Sequence, residues 1–254
     1  MKNQEFQEMS LIEHIAELRK RLLWSFFYVI IIFVFCFYFA DILFAFLARP
    51  LVNLMDLEKG QGFIYTALQE AFFTELKIAF FFSLFFAFPL IAIQIWKFIA
   101  PGLYQHEKIA IMPYLIATPI LFFLGGVLVY YLIMPLAIKF FLSFESSGIN
   151  TSLPIQLEAK VNEYLSLIMK LIFAFGLSFQ LPVILSLLAR IGMVDSKFLK
   201  KRRKYVIVII FAAAAILTPP DPITQIGLAI PLLILYELSI FSVKIIENKK
   251  KANA

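Results

Sequence analysis

Six long apolar segments constrain the fold of this chain more than any other feature. We place them, in chain order, at 22–40, 78–96, 111–134, 164–188, 206–218 and 226–241. A membrane-spanning helix needs about 20 predominantly apolar residues, a length that the first four segments approach or exceed and the last two do not reach. Only 16% of the residues are charged, against about a quarter in soluble domains. The sequence therefore predicts an all-α polytopic membrane protein with six transmembrane helices, the last two short.

The distribution of Lys and Arg predicts the orientation of these helices. Most of the chain's 23 basic residues precede the first segment or lie in the 97–108 loop, the 190–204 loop and the stretch 242–254. Under the positive-inside rule these regions are cytoplasmic. We therefore expect a single membrane domain, 1–254, with both termini in the cytoplasm. Residues 1–21 form a cytoplasmic amphipathic helix, and 242–254 form a basic tail.

Prolines within the spans and apolar outer loops predict the overall shape. Proline removes a backbone N–H and kinks a helix, and several bent spans together favour a curved, cup-like bundle. The prolines concerned are Pro89, Pro113, Pro119, Pro182 and Pro231. The outer loop 41–77 is too apolar for a solvated linker, so we expect structured outer loops, with a short helix over 66–77 leading into the second span.

The segment that enters the first span, 10–23, combines charged and apolar faces. Ser10 followed by Glu13 has the spacing of a helix N-terminal capping box. Glu13 and Glu17 are four residues apart and share a face. Considered alone, Glu17 has two interpretations: an ion pair with Arg21 at i, i+4, or a carboxylate that is available to a ligand. Glu13 is either part of the same site or simply solvated.

A second carboxylate, Glu107, lies in the 97–108 loop on the same predicted side of the membrane as Glu17. Two carboxylates near aromatic residues at one membrane face could bind a cationic peptide. Arginine would be the natural partner, because a guanidinium and a carboxylate form paired, charge-assisted hydrogen bonds.

Catalytic and metal-binding motifs are missing from the sequence. It contains no Gly-x-Ser-x-Gly, no His-Glu-x-x-His and no phosphate-binding glycine-rich loop with lysine. The two histidines, His14 and His106, are too few for a metal site. We therefore predict that the protein is not an enzyme and has no metal or other cofactor.

Two polar residues inside the apolar segments are candidates for a functional contact. Gln180, near the middle of the fourth, suits a helix–helix hydrogen bond as well as a ligand contact. Glu237, near the cytoplasmic end of the sixth, is expected to snorkel to the interface or to pair with a cytoplasmic Lys or Arg.

Five motifs in a fixed order resemble the TatC family, the core subunit of the twin-arginine protein translocase. They are H-I-A-E-L-R-K-R-L from His14, F-I-A-P-G-L-Y-x-H-E from Phe98, F-G-L-S-F-Q-L-P from Phe175, R-K-Y-V from Arg203 and L-T-P-P-D-P from Leu217. The resemblance extends over roughly 10–241. It implies a cup-shaped receptor in the bacterial inner membrane. This receptor binds the paired-arginine signal peptides of folded precursors, which are exported by the proton-motive force.

The resemblance also implies roles for individual residues. Those matching the family's signal-peptide site are Glu17, Arg19, Phe98, Pro101 and Glu107. Those matching recurrent family positions that we assign to partner contacts are Pro50, Tyr130, Gln180 and Asp221. Gln180 departs from members that have glutamate there, so we expect it to hydrogen-bond a partner helix without titrating. The implied partners are the single-span TatA and TatB subunits, in a multi-copy complex within membrane lipid.

Two other functions compete with a signal-peptide receptor. A secondary transporter for a small cationic or zwitterionic substrate would need a charged site at mid-membrane, where this sequence offers only Gln180. A passive membrane scaffold would bind precursors equally well without either carboxylate.

Overall fold

The computed structural model describes residues 11–55, 62–99, 105–145, 157–217 and 222–252. These residues form nine α-helices, one π-helix and two short strands. In chain order they are α1 (Leu11–Tyr38), α2 (Ala40–Val52), β1 (Phe63–Ile64), α3 (Glu70–Ile99), α4 (Gln105–Leu128), a π-helix (Val129–Ile133), α5 (Met134–Leu142), β2 (Ala159–Lys160), α6 (Val161–Ser178), α7 (Leu181–Arg190), α8 (Ser196–Leu217) and α9 (Pro222–Ala252).

Five helical stretches among the described residues are long and apolar enough to cross a membrane. They are Ile12–Tyr38, Glu70–Ile99, Met112–Leu142, Val161–Arg190 and Gln225–Asn248. These stretches correspond to the first, second, third, fourth and sixth predicted segments, with differences of one or two residues at the end of the first and the start of the third. The fifth segment lies in α8, whose apolar part from Val206 to Leu217 is about 18 Å long at 1.5 Å per residue. The predicted all-α polytopic class is confirmed, and α9 continues as a helix through most of the predicted basic tail.

The hydrophobic core lies on the α2, α3 and α6 side of the bundle, where the π-helix and α9 join them. Each element contributes at least one fully buried apolar side chain: Leu47, Ile78, Val129, Ile168 and Leu228. Helix α1, in contrast, packs on α3 along one face and leaves most of its apolar side chains exposed. In a membrane protein such a face meets lipid or another spanning helix, so the exposure fits the predicted class.

Glycine permits a close crossing of α4 and α6. A Cβ atom built on Gly125 would lie 2.8 Å from the backbone oxygen of Phe175, and one on Gly176 would lie 2.7 Å from the ring of Phe122. Only glycine fits at this separation, as at other close helix crossings in membranes. The crossing therefore fixes α6 against α4 immediately before α6 ends.

Prolines interrupt two of the spanning stretches. Pro182 has no N–H for the carbonyl of Ser178, and the chain turns at 179–180 between α6 and α7. Before Pro135 the helix widens to the π form, and the Met134 N–H donates to the Val129 oxygen, five residues earlier. The predicted bending at Pro182 is confirmed.

The two outer loops are tied together. Strands β1 and β2 pair in parallel, with Phe63 opposite Ala159 and Ile64 opposite Lys160. The Glu70 carboxylate accepts hydrogen bonds from the Thr66 N–H at 2.7 Å and from the Asn162 N–H at 3.3 Å. The prediction of structured outer loops is confirmed for the described parts of the two loops. The short outer helix predicted over 66–77 begins instead at Glu70 and is continuous with the second span. The Glu70 carboxylate binds the N–H groups of Thr66 and Ala67, and the chain before the helix forms a turn.

Candidate functional site

Helices α1 and α3 run antiparallel and bring the N-terminal turns of α1 to the C-terminal end of α3. The His14 ring stacks on the Phe98 ring with centroids 4.4 Å apart. Seven residues along α1, the Arg21 guanidinium donates from Nη1 to Oε1 of Gln94 at 3.4 Å. Glu17 lies between these two contacts, with its side chain only 15% exposed.

Glu17 pairs with Arg21 through a single contact. Nη2 of Arg21 donates to Oε1 of Glu17 at 3.1 Å. The other carboxylate oxygen, Oε2, and Nε of Arg21 are buried without a hydrogen-bond partner among the residues that the structure describes. A buried polar group without a partner costs about 1–3 kcal/mol. This ion pair is therefore half satisfied, with acceptor capacity on Glu17 and donor capacity on Arg21 both unused.

Arg19 lies on a different face of α1. It is exposed and, with Lys20 and Trp24, lines an open groove of about 530 Å³ along this helix. Arg19 therefore makes no described contact with Glu17 or Phe98. The structure brings Glu17 and Phe98 together and leaves Arg19 beside them on the outer surface of the same helix.

The structure describes only the backbone of one predicted site residue, Glu107, and does not describe another, Pro101. Helix α4 begins at Gln105, shortly after α3 ends at Ile99, so the backbone of Glu107 belongs to the same end of the bundle as Glu17. The position of the Glu107 side chain lies outside the described residues, as does Pro101.

Many of the basic residues lie at the same end of the bundle as Glu17. They include Arg190 and the cations of 19–21 and 197–204, and we call this end the basic face. Arg190 at the end of α7 lies over the ring of Tyr114 in α4, 5.5 Å from its centroid. At the start of α8, Arg203 donates from Nη2 to Oε2 of Glu237 at 2.6 Å. The predicted pairing of Glu237 with a Lys or Arg at its own end of the span is confirmed.

Gln180 lies at the turn between α6 and α7 and is 7% exposed. Its Nε2 donates to the carbonyl of Thr118 at 3.1 Å and to that of Gly176 at 3.3 Å. Both partners are acceptors, which fixes the amide with its oxygen on the other side. That oxygen, Oε1, is buried without a partner in the described part of the chain. Gln180 thus joins α6 to α4 and retains one free acceptor.

Pro50 and Tyr130 lie at the opposite end of the bundle from Glu17, and both affect the backbone carbonyl of Phe46. Proline at position 50 cannot donate to the carbonyl four residues earlier, which belongs to Phe46. The Tyr130 hydroxyl donates to that carbonyl at 2.7 Å, and its ring stacks on the Phe46 ring at 4.5 Å. Tyr164 donates to the next carbonyl, that of Leu47, at 2.9 Å. Asp221, the remaining predicted site residue, lies outside the described residues.

Comparison with known proteins decides the family. The family model for the Sec-independent protein translocase protein (TatC) matches residues 13–231. The chain belongs to the TatC family. It is 52% identical to the TatC protein of Magnetococcus marinus over 244 residues, which are 96% of this chain and 87% of that protein. It is 38% identical to TatC of Escherichia coli K12 over 231 residues, 91% of this chain and 86% of that protein.

The fold agrees with solved TatC structures. A crystal structure of the twin-arginine translocase receptor TatC, 38% identical in sequence, superposes with a TM-score of 0.78 and covers 92% of this chain and all of that one. A second crystal structure of the receptor, in the detergent DDM, gives a TM-score of 0.79 over 90% of this chain.

Membership of this family defines the class of function. TatC proteins are components of a protein translocase, so this chain is a multi-pass bacterial membrane protein of protein transport and not an enzyme. This family membership excludes the alternative of a secondary transporter for a small substrate.

Sequence reasoning missed one residue of the candidate site, Gln94, and the ring contact that holds another, Phe98. Gln94, 5% exposed, was not singled out, although a lone amide near the end of an apolar span is a signal for a polar contact. The stacking of His14 on Phe98 was not predicted either, because the two residues belong to different motifs of the sequence.

Proposed function

We propose that this TatC protein is the receptor of its translocase and binds paired-arginine signal peptides of folded precursors at the basic face. The observation that supports this most is the partly buried Glu17 carboxylate, whose Oε2 has no described hydrogen-bond partner. A guanidinium supplies the donors that such an oxygen lacks. Phe98, held against His14 beside this carboxylate, offers an aromatic face on which a guanidinium can stack.

We further propose that the basic face is cytoplasmic. The stretch 197–204, with six cations, begins α8 at this face, and positive residues flanking spans are retained in the cytoplasm. Glu107, whose backbone is at the same end, would supply the second carboxylate for an arginine pair. Arg19 and Pro101 would complete the site as their family positions imply.

Photocrosslinking tests the receptor proposal. A photoreactive residue at Leu18, next to Glu17 in the sequence, is expected to crosslink a precursor with an Arg-Arg signal peptide at least about tenfold more than its Lys-Lys counterpart. The reason is that an ammonium cannot reproduce the forked hydrogen bonds of a guanidinium. The same probe at Tyr65, in the outer loop, serves as control and should give no signal-peptide adduct. Equal yields for the two peptides at Leu18 would refute the proposal.

We also propose that Gln180 contacts a membrane helix of a single-span partner, TatA or TatB. The buried Oε1 is an acceptor without a described partner, and a polar side chain on a neighbouring helix could donate to it. Pro50 and Tyr130 would support partner binding indirectly, since both are buried in the bundle. Asp221 would contact the partner, as its family position implies.

Replacing Gln180 with Leu is expected to reduce co-purification of the single-span partner by about tenfold, the factor that one lost buried hydrogen bond can produce. Thr118→Val is a suitable control, because it removes a hydroxyl bonded within its own helix and keeps the backbone carbonyl that Gln180 uses. Unchanged co-purification with Gln180→Leu, at equal thermal stability, would exclude the contact.

A further inference from the structure

Neither oxygen of the Glu17 carboxylate is available to an incoming ligand in this structure. Oε1 accepts the Arg21 hydrogen bond at 3.1 Å, and Oε2 is buried. Paired hydrogen bonds to a ligand guanidinium need both oxygens. One of the two oxygens that the proposed receptor site needs is therefore already occupied by a residue of its own chain.

The residue that occupies this oxygen has the same chemistry as the ligand. Arg21 presents a guanidinium to Glu17, as a signal-peptide arginine would. Its hold is incomplete, since it uses one contact to Glu17 and one long contact of 3.4 Å to Gln94, while Nε has no described partner. Its side chain is 24% exposed, so a path to solvent is open. A ligand guanidinium that donated from two of its N–H groups to the two carboxylate oxygens would form a stronger ion pair than Arg21 does.

We propose that Arg21 is a built-in competitor that occupies Glu17 until a signal-peptide arginine displaces it. This inference rests on the proposed receptor function and adds the control of that same site. Displacement exchanges one guanidinium for another, so the carboxylate never becomes an unpaired buried charge, a state that is strongly unfavourable. Gln94, whose oxygen faces Arg21, holds the competitor in its resting position.

The displacement model predicts a gain of affinity on removal of Arg21. The full chain carrying Arg21→Gln, in lipid nanodiscs, should bind a fluorescent Arg-Arg signal peptide about tenfold more tightly than the unmodified chain. A Lys-Lys peptide should gain by a similar factor, because the pair that must be broken is the same. If Arg21 instead oriented Glu17 for the ligand, Arg21→Gln would weaken binding of both peptides.

Two further variants separate competition from a simple change of charge. Lys20→Gln removes the same charge from the adjacent, exposed position and should change the affinity by less than about threefold. Combining Arg21→Gln with Glu17→Gln should cancel the gain, because no carboxylate remains to be freed. A gain of equal size in Lys20→Gln, or one that persists without Glu17, would overturn the inference.

The failure of this inference is distinct from failure of the receptor proposal. If Glu17→Gln loses binding but Arg21→Gln does not gain it, the receptor proposal stands and the competitor is rejected. If Glu17→Gln binds normally, both are rejected. Should Arg21→Gln lower the melting temperature, Arg21→Lys decides, since it keeps the charge but loses the fork. A gain of about threefold is then expected, and no gain rejects the competitor.

Discussion

Replacing Glu17 with Gln is expected to weaken binding of an Arg-Arg signal peptide by about 100-fold and to stop export of its precursor. The substitution preserves size and removes the charge. It therefore removes the charge-assisted hydrogen bonds, which are roughly twice as strong as neutral ones. Loss of about 2.7 kcal/mol corresponds to this factor. Fluorescence anisotropy with the full chain in nanodiscs would measure it.

Glu13→Gln is the matched control for this prediction. It removes the same charge one turn earlier on the same helix, at an exposed position, and should change affinity by less than about threefold. Adding Glu107→Gln to Glu17→Gln should remove the remaining binding. A Glu17→Gln variant that retains full affinity would show that the carboxylate is not the arginine ligand, whatever its burial.

The spans and the basic face were predictable because the signals for both are local. A run of about 20 apolar residues specifies a spanning helix wherever it occurs, and the cations that set orientation lie next to those runs. The pairing of Glu237 with a basic residue followed from its position near a span end. The start of α3 was less predictable, because the Glu70 carboxylate binds the N–H groups of Thr66 and Ala67, which stay outside the helix.

The contacts that shape the site were not predictable, because they join residues far apart in the chain. Arg21 and Gln94 are separated by 73 positions, and Tyr130 and Phe46 by 84. Sequence periodicity indicates which residues share a face of one helix but not which helix that face meets. The ion pair of Glu17 with Arg21, at i, i+4, was foreseen for that reason. The spacing does not show that packing against α3 buries this ion pair and leaves some of its polar atoms without partners.

Replacing Tyr130 with Phe is expected to lower the stability of the bundle by about 2 kcal/mol, because the carbonyl of Phe46 would lose its donor in an apolar surrounding. Pro50 prevents the helix from supplying that donor. For a chain of this size the change corresponds to a fall of about 4–8 °C in melting temperature. Intrinsic-fluorescence melting of the purified protein in one detergent would measure it.

Tyr164→Phe should have a smaller effect, about 0.5–1.5 kcal/mol. Its acceptor, the carbonyl of Leu47, lies four residues before Leu51, which has a backbone N–H that can serve as donor in the helix. Comparing the two variants separates the effect of losing a hydroxyl from the effect of leaving a backbone carbonyl without a donor. Equal destabilisation by the two substitutions would contradict the role that we assign to Tyr130.

A second substitution tests the mechanism directly. Pro50→Ala restores an N–H four residues after Phe46, so the helix itself can donate to the carbonyl that Tyr130 now satisfies. Tyr130→Phe combined with Pro50→Ala should therefore recover most of the lost stability, giving a coupling of about 1–2 kcal/mol between the two sites. Purely additive effects would mean that the Tyr130 hydroxyl does not act through the Phe46 carbonyl that Pro50 leaves without a helical donor, because Tyr130→Phe keeps the ring that packs on Phe46.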